Sequence, residues 1–194
     1  MTSTIISIIW VIGMIGVYLI RRPHQKRARN QNIKDHQRST AERTVLALAT
    51  LGLIVIPASN MAFKIFKFAD YPFNPLLSSI GILILLTFLW LFHLSHRQLG
   101  KNWSITLEIR EKHKLVTDGL YKYIRHPMYS AFWLWALSQA FLFNNWITGF
   151  SGLVGVAILY YSRVGKEEAM MRQTFGSEYE DYCVKTGRIF PKLY

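Results

Sequence analysis

Four stretches of this chain contain no Asp, Glu, Lys or Arg: 1–20, 44–63, 73–95 and 128–162. One small water-soluble core has no room for all four. A helix crossing a bilayer needs roughly 20 predominantly apolar residues, and its backbone polar groups must be satisfied within the helix itself. Each stretch therefore predicts a membrane helix. The last is about twice the length that one crossing requires, and Asn144-Asn145 near its middle has turn chemistry. It predicts a helical hairpin over 128–162, with arms 128–143 and 146–162. The expectation is an all-α integral membrane fold of five transmembrane helices, the last two forming the hairpin. Each arm is slightly short for a full crossing, which tilt or partial insertion accommodates. Pro57 falls inside the second stretch and predicts a kink there.

The first stretch resembles a secretory leader only in position. Its basic cluster, Arg21, Arg22, Lys26, Arg27 and Arg29, follows the apolar run instead of preceding it, so a retained span is expected. The net charge of +12, from 23 Lys and Arg against 11 Asp and Glu, is concentrated next to the apolar stretches. There it orients spans and meets anionic lipid, and nucleic acid is not expected as a partner. Basic residues crowd 21–43, return in 97–125 and recur after Arg163, while 64–73 carries only Lys64 and Lys67 against Asp70. The positive-inside rule then places these three basic segments in the cytoplasm. Tyr71, Phe73, Trp90 and Trp103 suit interfacial anchoring. The single cysteine, Cys183, permits no intrachain disulfide, and no metal site is expected.

The chain divides into 1–95, three N-terminal transmembrane helices with a basic cytoplasmic loop, and 96–194, where the polar chemistry gathers on either side of the hairpin. Before the hairpin runs Leu115-Val116-Thr117-Asp118-Gly119-Leu120-Tyr121, then Arg125-His126-Pro127-Met128-Tyr129. Pro127 suits a first helical turn, and the helix N-terminus behind it offers backbone donors to a polar ligand. After the hairpin come Arg163 and the pair Glu167-Glu168. Arg163 and Glu167 share a helical face at i,i+4, which by itself describes a surface ion pair. Folding the hairpin brings the two glutamates opposite Arg125 and His126, a set suited to a ligand with an amine, hydroxyls and a carboxylate.

These segments, continued by Phe175-Gly176, Tyr179, Tyr182, Arg188 and Pro191, resemble the C-terminal half of the isoprenylcysteine carboxyl methyltransferase family and its phospholipid-methylating relatives. The resemblance covers roughly the last hundred residues in order, and the length suggests a minimal prokaryotic version. It implies a methyltransferase that holds S-adenosylmethionine on the cytoplasmic side. The implied cofactor contacts are His113, Lys114, Leu115, Val116, Tyr121, His126, Pro127, Met128, Tyr129 and Glu167, with Gln98 or Thr106 as alternatives for one more. Arg163 falls on the position associated with the substrate, and Arg125 and Glu168 match motif positions that join it in the candidate catalytic set.

Such a reaction needs no nucleophilic side chain. A carboxylate acceptor is already ionised near neutral pH and requires only orientation, which an arginine fork supplies. A phospholipid ammonium would first lose a proton, and Glu168 is the expected acceptor. The lipidic or prenylated substrate would enter from the bilayer, with Phe132, Trp133, Trp135 and Phe141 as possible lining or ordinary packing residues. Two rivals belong to other classes. A nicotinamide-dependent sterol reductase would require a phosphate-binding site, and no glycine-rich fingerprint is present. A non-catalytic lipid-binding scaffold would have no affinity for S-adenosylhomocysteine.

Overall fold

A computed structural model describes residues 3–29, 40–100 and 115–192. The helices in it are α1 (Ser3–Arg29), α2 (Thr40–Thr50), α3 (Ile56–Phe63), α4 (Pro75–Leu99), α5 (Pro127–Leu142), α6 (Trp146–Phe175) and α7 (Ser177–Lys185). A π turn, Leu51–Val55, joins α2 to α3 so that the two form one run. Among the described residues, four helical runs are long and apolar enough to cross a membrane: Thr4–Lys26, Thr40–Phe63, Pro75–Leu99 and Trp146–Phe175. The fifth expected span, α5, has 16 residues. At 1.5 Å per residue it reaches about 24 Å, short of a hydrocarbon core of about 30 Å.

The hairpin's second arm is expected to cross over 146–162 with Arg163 and Glu167 on a helical face beyond it. As one helix, α6 carries that pair and runs on past the Gly165 interruption through Lys166-Glu167-Glu168-Ala169-Met170-Met171, all good helix formers. It stops at Gly176, whose φ of 52° suits the residue that ends a helix.

Around the bundle, α4 packs along α5 and α5 along α6, while α1 backs α4 and the α2–α3 run lines α6. Phe88 of α4 stacks on Trp135 of α5, with ring centroids 5.2 Å apart. Trp135 is therefore core packing between helices. At Pro57 the missing N–H and the ring's bulk disfavour a regular α-turn, and the chain answers with the π turn. Ile56 N–H bonds the carbonyl of Leu51, so the Gly52 carbonyl loses its usual partner within the helix. Gln139 Nε2 (3.1 Å) and Ser151 Oγ (2.8 Å) donate to it. Gln139 Nε2 also donates to the Thr148 carbonyl at 2.8 Å, so the kink is tied to both arms of the hairpin. Only glycine fits at 52, because a Cβ there would lie 2.2 Å from the Ser151 carbonyl oxygen.

At the turn of the hairpin, Asn145 caps α6 by accepting from Thr148 N–H (2.8 Å) and donates to Phe66 O (2.6 Å) and Asp70 Oδ1 (2.7 Å). Asn144 Nδ2 donates to Tyr71 O at 3.0 Å, and Tyr71 OH donates to Phe143 O at 2.9 Å. The asparagine pair therefore makes the turn and also clasps it to the α3–α4 connection. Tyr71 is part of that clasp, which its expected role as a simple interfacial anchor did not include. The turn itself is made of neutral asparagines, and the charged side chains of the hairpin helices gather at the opposite end.

Candidate functional site at the open end of the hairpin

The site is built where α5 begins and α6 emerges from its apolar stretch. Glycine at 119 takes φ 62°, and a Cβ there would lie 2.4 Å from Gln98 Nε2. This close approach lets Gln98 Oε1 accept from Leu120 N–H at 2.8 Å, docking the 115–122 segment on the end of α4. Tyr121 is buried, and its carbonyl accepts from Tyr182 OH at 2.6 Å. Burial pushes the phenols of Tyr121, Tyr179 and Tyr182 above their ordinary value, keeping them neutral and able to donate.

The chain after α7 returns to cover the start of α5. Arg125 N–H donates to Gly187 O (2.8 Å), His126 N–H to Arg188 O (2.9 Å) and Ser130 Oγ to Ile189 O (2.6 Å). This covering changes the expectation that the α5 N-terminus presents free donors to a ligand. The His126 N–H is taken by the tail, and the N–H groups of Tyr129 and Ser130 donate to His126 O.

Glu168 is 1% exposed and lies at the centre of the tail's attachment. Arg125 Nε and Nη2 both reach its Oε1 at 3.2 Å. Arg188 forms a fork with it, Nε to Oε1 at 3.1 Å and Nη2 to Oε2 at 2.8 Å. The remaining donors of Arg125 go to the Cys183 carbonyl and to the carbonyl and hydroxyl of Thr186. Arg188 and Thr186 are thus structural partners of the site whose contacts depend on the tail's return across the chain. Arg188 was legible as a motif position, whereas Thr186 carried no sequence signal.

Glu167, one residue earlier, points elsewhere. Its Oε1 accepts from Tyr129 OH at 2.6 Å and lies 3.5 Å from Arg163 Nε. His126 stands between the glutamates, Nδ1 3.6 Å from Glu167 Oε2 and Nε2 3.5 Å from Glu168 Oε1. Arg163 Nη2 in turn lies 3.8 Å from Glu42 Oε1 on the first turn of α2. Below this group pack Ala49, Tyr129, Leu159, Tyr160 and Val164, with Trp133 and Phe132 against them. The structure therefore brings together Arg125, His126, Tyr129, Arg163, Glu167 and Glu168. Pro127 is buried as the first residue of α5, Met128 follows half-buried, and Leu115 and Val116 are half-buried ahead of Tyr121. His113, Lys114, Thr106 and Trp103 lie outside the described residues.

Residues 79–173 match the sequence profile of the isoprenylcysteine carboxyl methyltransferase family. The protein-S-isoprenylcysteine O-methyltransferase of Schizosaccharomyces pombe is 38% identical over 98 residues, which are 50% of this chain and 42% of that protein. Protein-S-isoprenylcysteine O-methyltransferase B of Arabidopsis thaliana is 35% identical over 86 residues, 43% of this chain and 44% of its own length. The human protein-S-isoprenylcysteine O-methyltransferase is 33% identical over 97 residues, 48% and 34% respectively. Each match spans less than half of the relative's length. A solved eukaryotic intramembrane Ras methyltransferase shares the fold with a TM-score of 0.56 at 21% identity, over 91% of this chain and 60% of that one.

Proposed function

From a chain whose residues 79–173 belong to the isoprenylcysteine carboxyl methyltransferase family, and whose four apolar helical runs mark an integral membrane protein, we propose an S-adenosylmethionine-dependent methyltransferase. Its acceptor is the carboxylate of a prenylated cysteine or a similar lipidic acid. One observation carries the reading: Glu167, 22% exposed, stands with Tyr129, His126 and Arg163 at one mouth, above an aromatic and aliphatic floor. A carboxylate with phenol and imidazole neighbours fits the ammonium and hydroxyl groups of such a cosubstrate. Glu167, Tyr129, His126 and Tyr121 are the residues assigned to hold it, with Leu115 and Val116 alongside.

S-adenosylmethionine held there would supply an electrophilic methyl to an ionised carboxylate in line with the sulfonium, the S–CH3 bond breaking as the O–CH3 bond forms and S-adenosylhomocysteine leaving, with no general base. The protein's work is to align the two reactants and exclude water. Arg163 is assigned to orient the acceptor carboxylate through its planar fork. Arg125 and Glu168 act one step back, fixing the tail over the α5 start. The buried Glu168, already engaged by Arg125 and Arg188, is poorly placed to take a proton from a phospholipid ammonium, which supports the carboxyl over the N-methyl reading. Alternation of basic segments supports a cytoplasmic mouth.

The test uses methyl-labelled S-adenosylmethionine with a small S-farnesyl cysteine analogue or, separately, phosphatidylethanolamine, followed by treatment with base. A methyl ester on the farnesyl compound releases volatile labelled methanol. Base-stable label on the lipid alone overturns the carboxyl reading.

A further inference from the structure

We propose that Glu42 is a positioning residue for Arg163: it holds the guanidinium in the orientation that receives the acceptor's carboxylate. The inference rests on the carboxyl-methylating reading above and assigns part of the site to the N-terminal half, outside the stretch matched by the family profile.

Packing between α2 and α6 supplies the argument. A Cβ at Gly155 of α6 would lie 3.1 Å from the Ala49 Cα and 3.2 Å from the Leu48 carbonyl of α2, so the two backbones meet closely there. Small residues at such a crossing fix the register of two helices in an apolar medium. From that point Glu42 lies seven residues back along α2 and Arg163 eight residues on along α6. In helices running in opposite directions these steps advance about 10 and 12 Å toward the same end. The register thus delivers a carboxylate beside the guanidinium, and Oε1 stands 3.8 Å from Nη2. Both side chains are largely buried, 14% and 12% exposed, where charges are poorly screened.

Geometry also separates the two carboxylates that flank Arg163. Glu167 faces its Nε, whereas Glu42 faces its Nη2. Carboxylates at different corners of the planar guanidinium restrict its rotation more than either does alone. At 3.8 Å the Glu42 contact is longer than a direct hydrogen bond, so it orients the fork without the strength of a tight bidentate pair. Glu167 is already committed to Tyr129 and is assigned to the cosubstrate, whereas Glu42 reaches the arginine from a separate helix.

Purified full-length Glu42→Gln, Glu42→Asp, Arg163→Lys and the Glu42→Gln/Arg163→Lys double variant test the assignment. Thermal unfolding checks that each is folded, and calorimetric titrations with S-adenosylhomocysteine and with the S-farnesyl cysteine analogue read the two sites separately. Activity of the wild-type protein on the farnesyl compound tests the underlying reading independently of these variants. For Glu42→Gln the expected result is about tenfold weaker binding of the analogue and a matching rise in KM. S-adenosylhomocysteine affinity should stay within about twofold, and Glu42→Asp should recover part of the loss. In the Arg163→Lys background the Glu42 substitution should add little, because the two act as one unit. Additive losses in the double variant, or unchanged analogue binding in folded Glu42→Gln, would overturn the proposal. Glu42 would then be a structural ion-pair partner between α2 and α6.

Discussion

Glu168 is 1% exposed and is bonded by Arg125 and Arg188 with Arg172 3.9 Å away, while Glu167, its neighbour in the chain, keeps 22% of its side chain exposed and meets Tyr129 and Arg163. Adjacent helical positions diverge by roughly 100°, so consecutive glutamates face different surroundings. One looks toward the returning tail and the other toward α2 and the α5 start. The difference teaches that an acidic pair beside a membrane helix can divide into a buried scaffold and a partly exposed carboxylate with no change of residue type. What separates the roles is the partner set: Arg125 and Arg188 satisfy Glu168 at 2.8 to 3.2 Å. Around Glu167 the short bond is Tyr129's, and Arg163 and the His126 imidazole stand at 3.5 and 3.6 Å.

The largest effect expected from this contrast is on stability. Glu168→Gln leaves the Arg125 guanidinium in a mostly buried site without its counter-charge, a change that costs about 3 to 5 kcal/mol. Thermal unfolding should register it as a large fall in Tm. An unchanged Tm would break the scaffold side of the comparison. Tyr129→Phe acts on the other side: it removes the 2.6 Å bond to Glu167, and S-adenosylhomocysteine affinity should fall by about 1.5 kcal/mol by calorimetry. A loss confined to stability would assign Tyr129 to the floor instead of the mouth. Arg188→Ala is the mildest. This arginine is 52% exposed and Arg125 continues to pair with Glu168, so denaturant unfolding should show a loss of about 1 kcal/mol or less. A loss comparable with that of Glu168→Gln would make Arg188 the principal partner.

Much of the architecture was legible because charge exclusion and helix chemistry act locally. The apolar stretches became helices, Asn144-Asn145 became a turn, and Pro57 marked the irregular step in the second run. The sequence did not reveal that this step frees the Gly52 carbonyl for Gln139 and Ser151, because those donors belong to the distant hairpin. Nor did the charge pattern locate the end of α6. Arg163 marked the end of the uncharged stretch, while the helix itself ran on to the stop at Gly176. In the candidate site, His126, Tyr129, Arg163 and Glu167 were readable from motif order, and the structure brings them together. Glu42 was not, since it lies in the basic 21–43 segment and reaches Arg163 only through the α2–α6 register.

The central claim is that Glu167 belongs to a cosubstrate site. Calorimetric titration of detergent-purified wild-type protein and Glu167→Gln with S-adenosylhomocysteine tests it most directly. The account predicts saturable one-site binding to the wild type, weakened by about 1.5 to 3 kcal/mol in the variant, while Tm changes little. Equal affinity in two equally folded proteins would contradict the assignment of Glu167, and no binding to folded wild-type protein would contradict the methyltransferase reading itself.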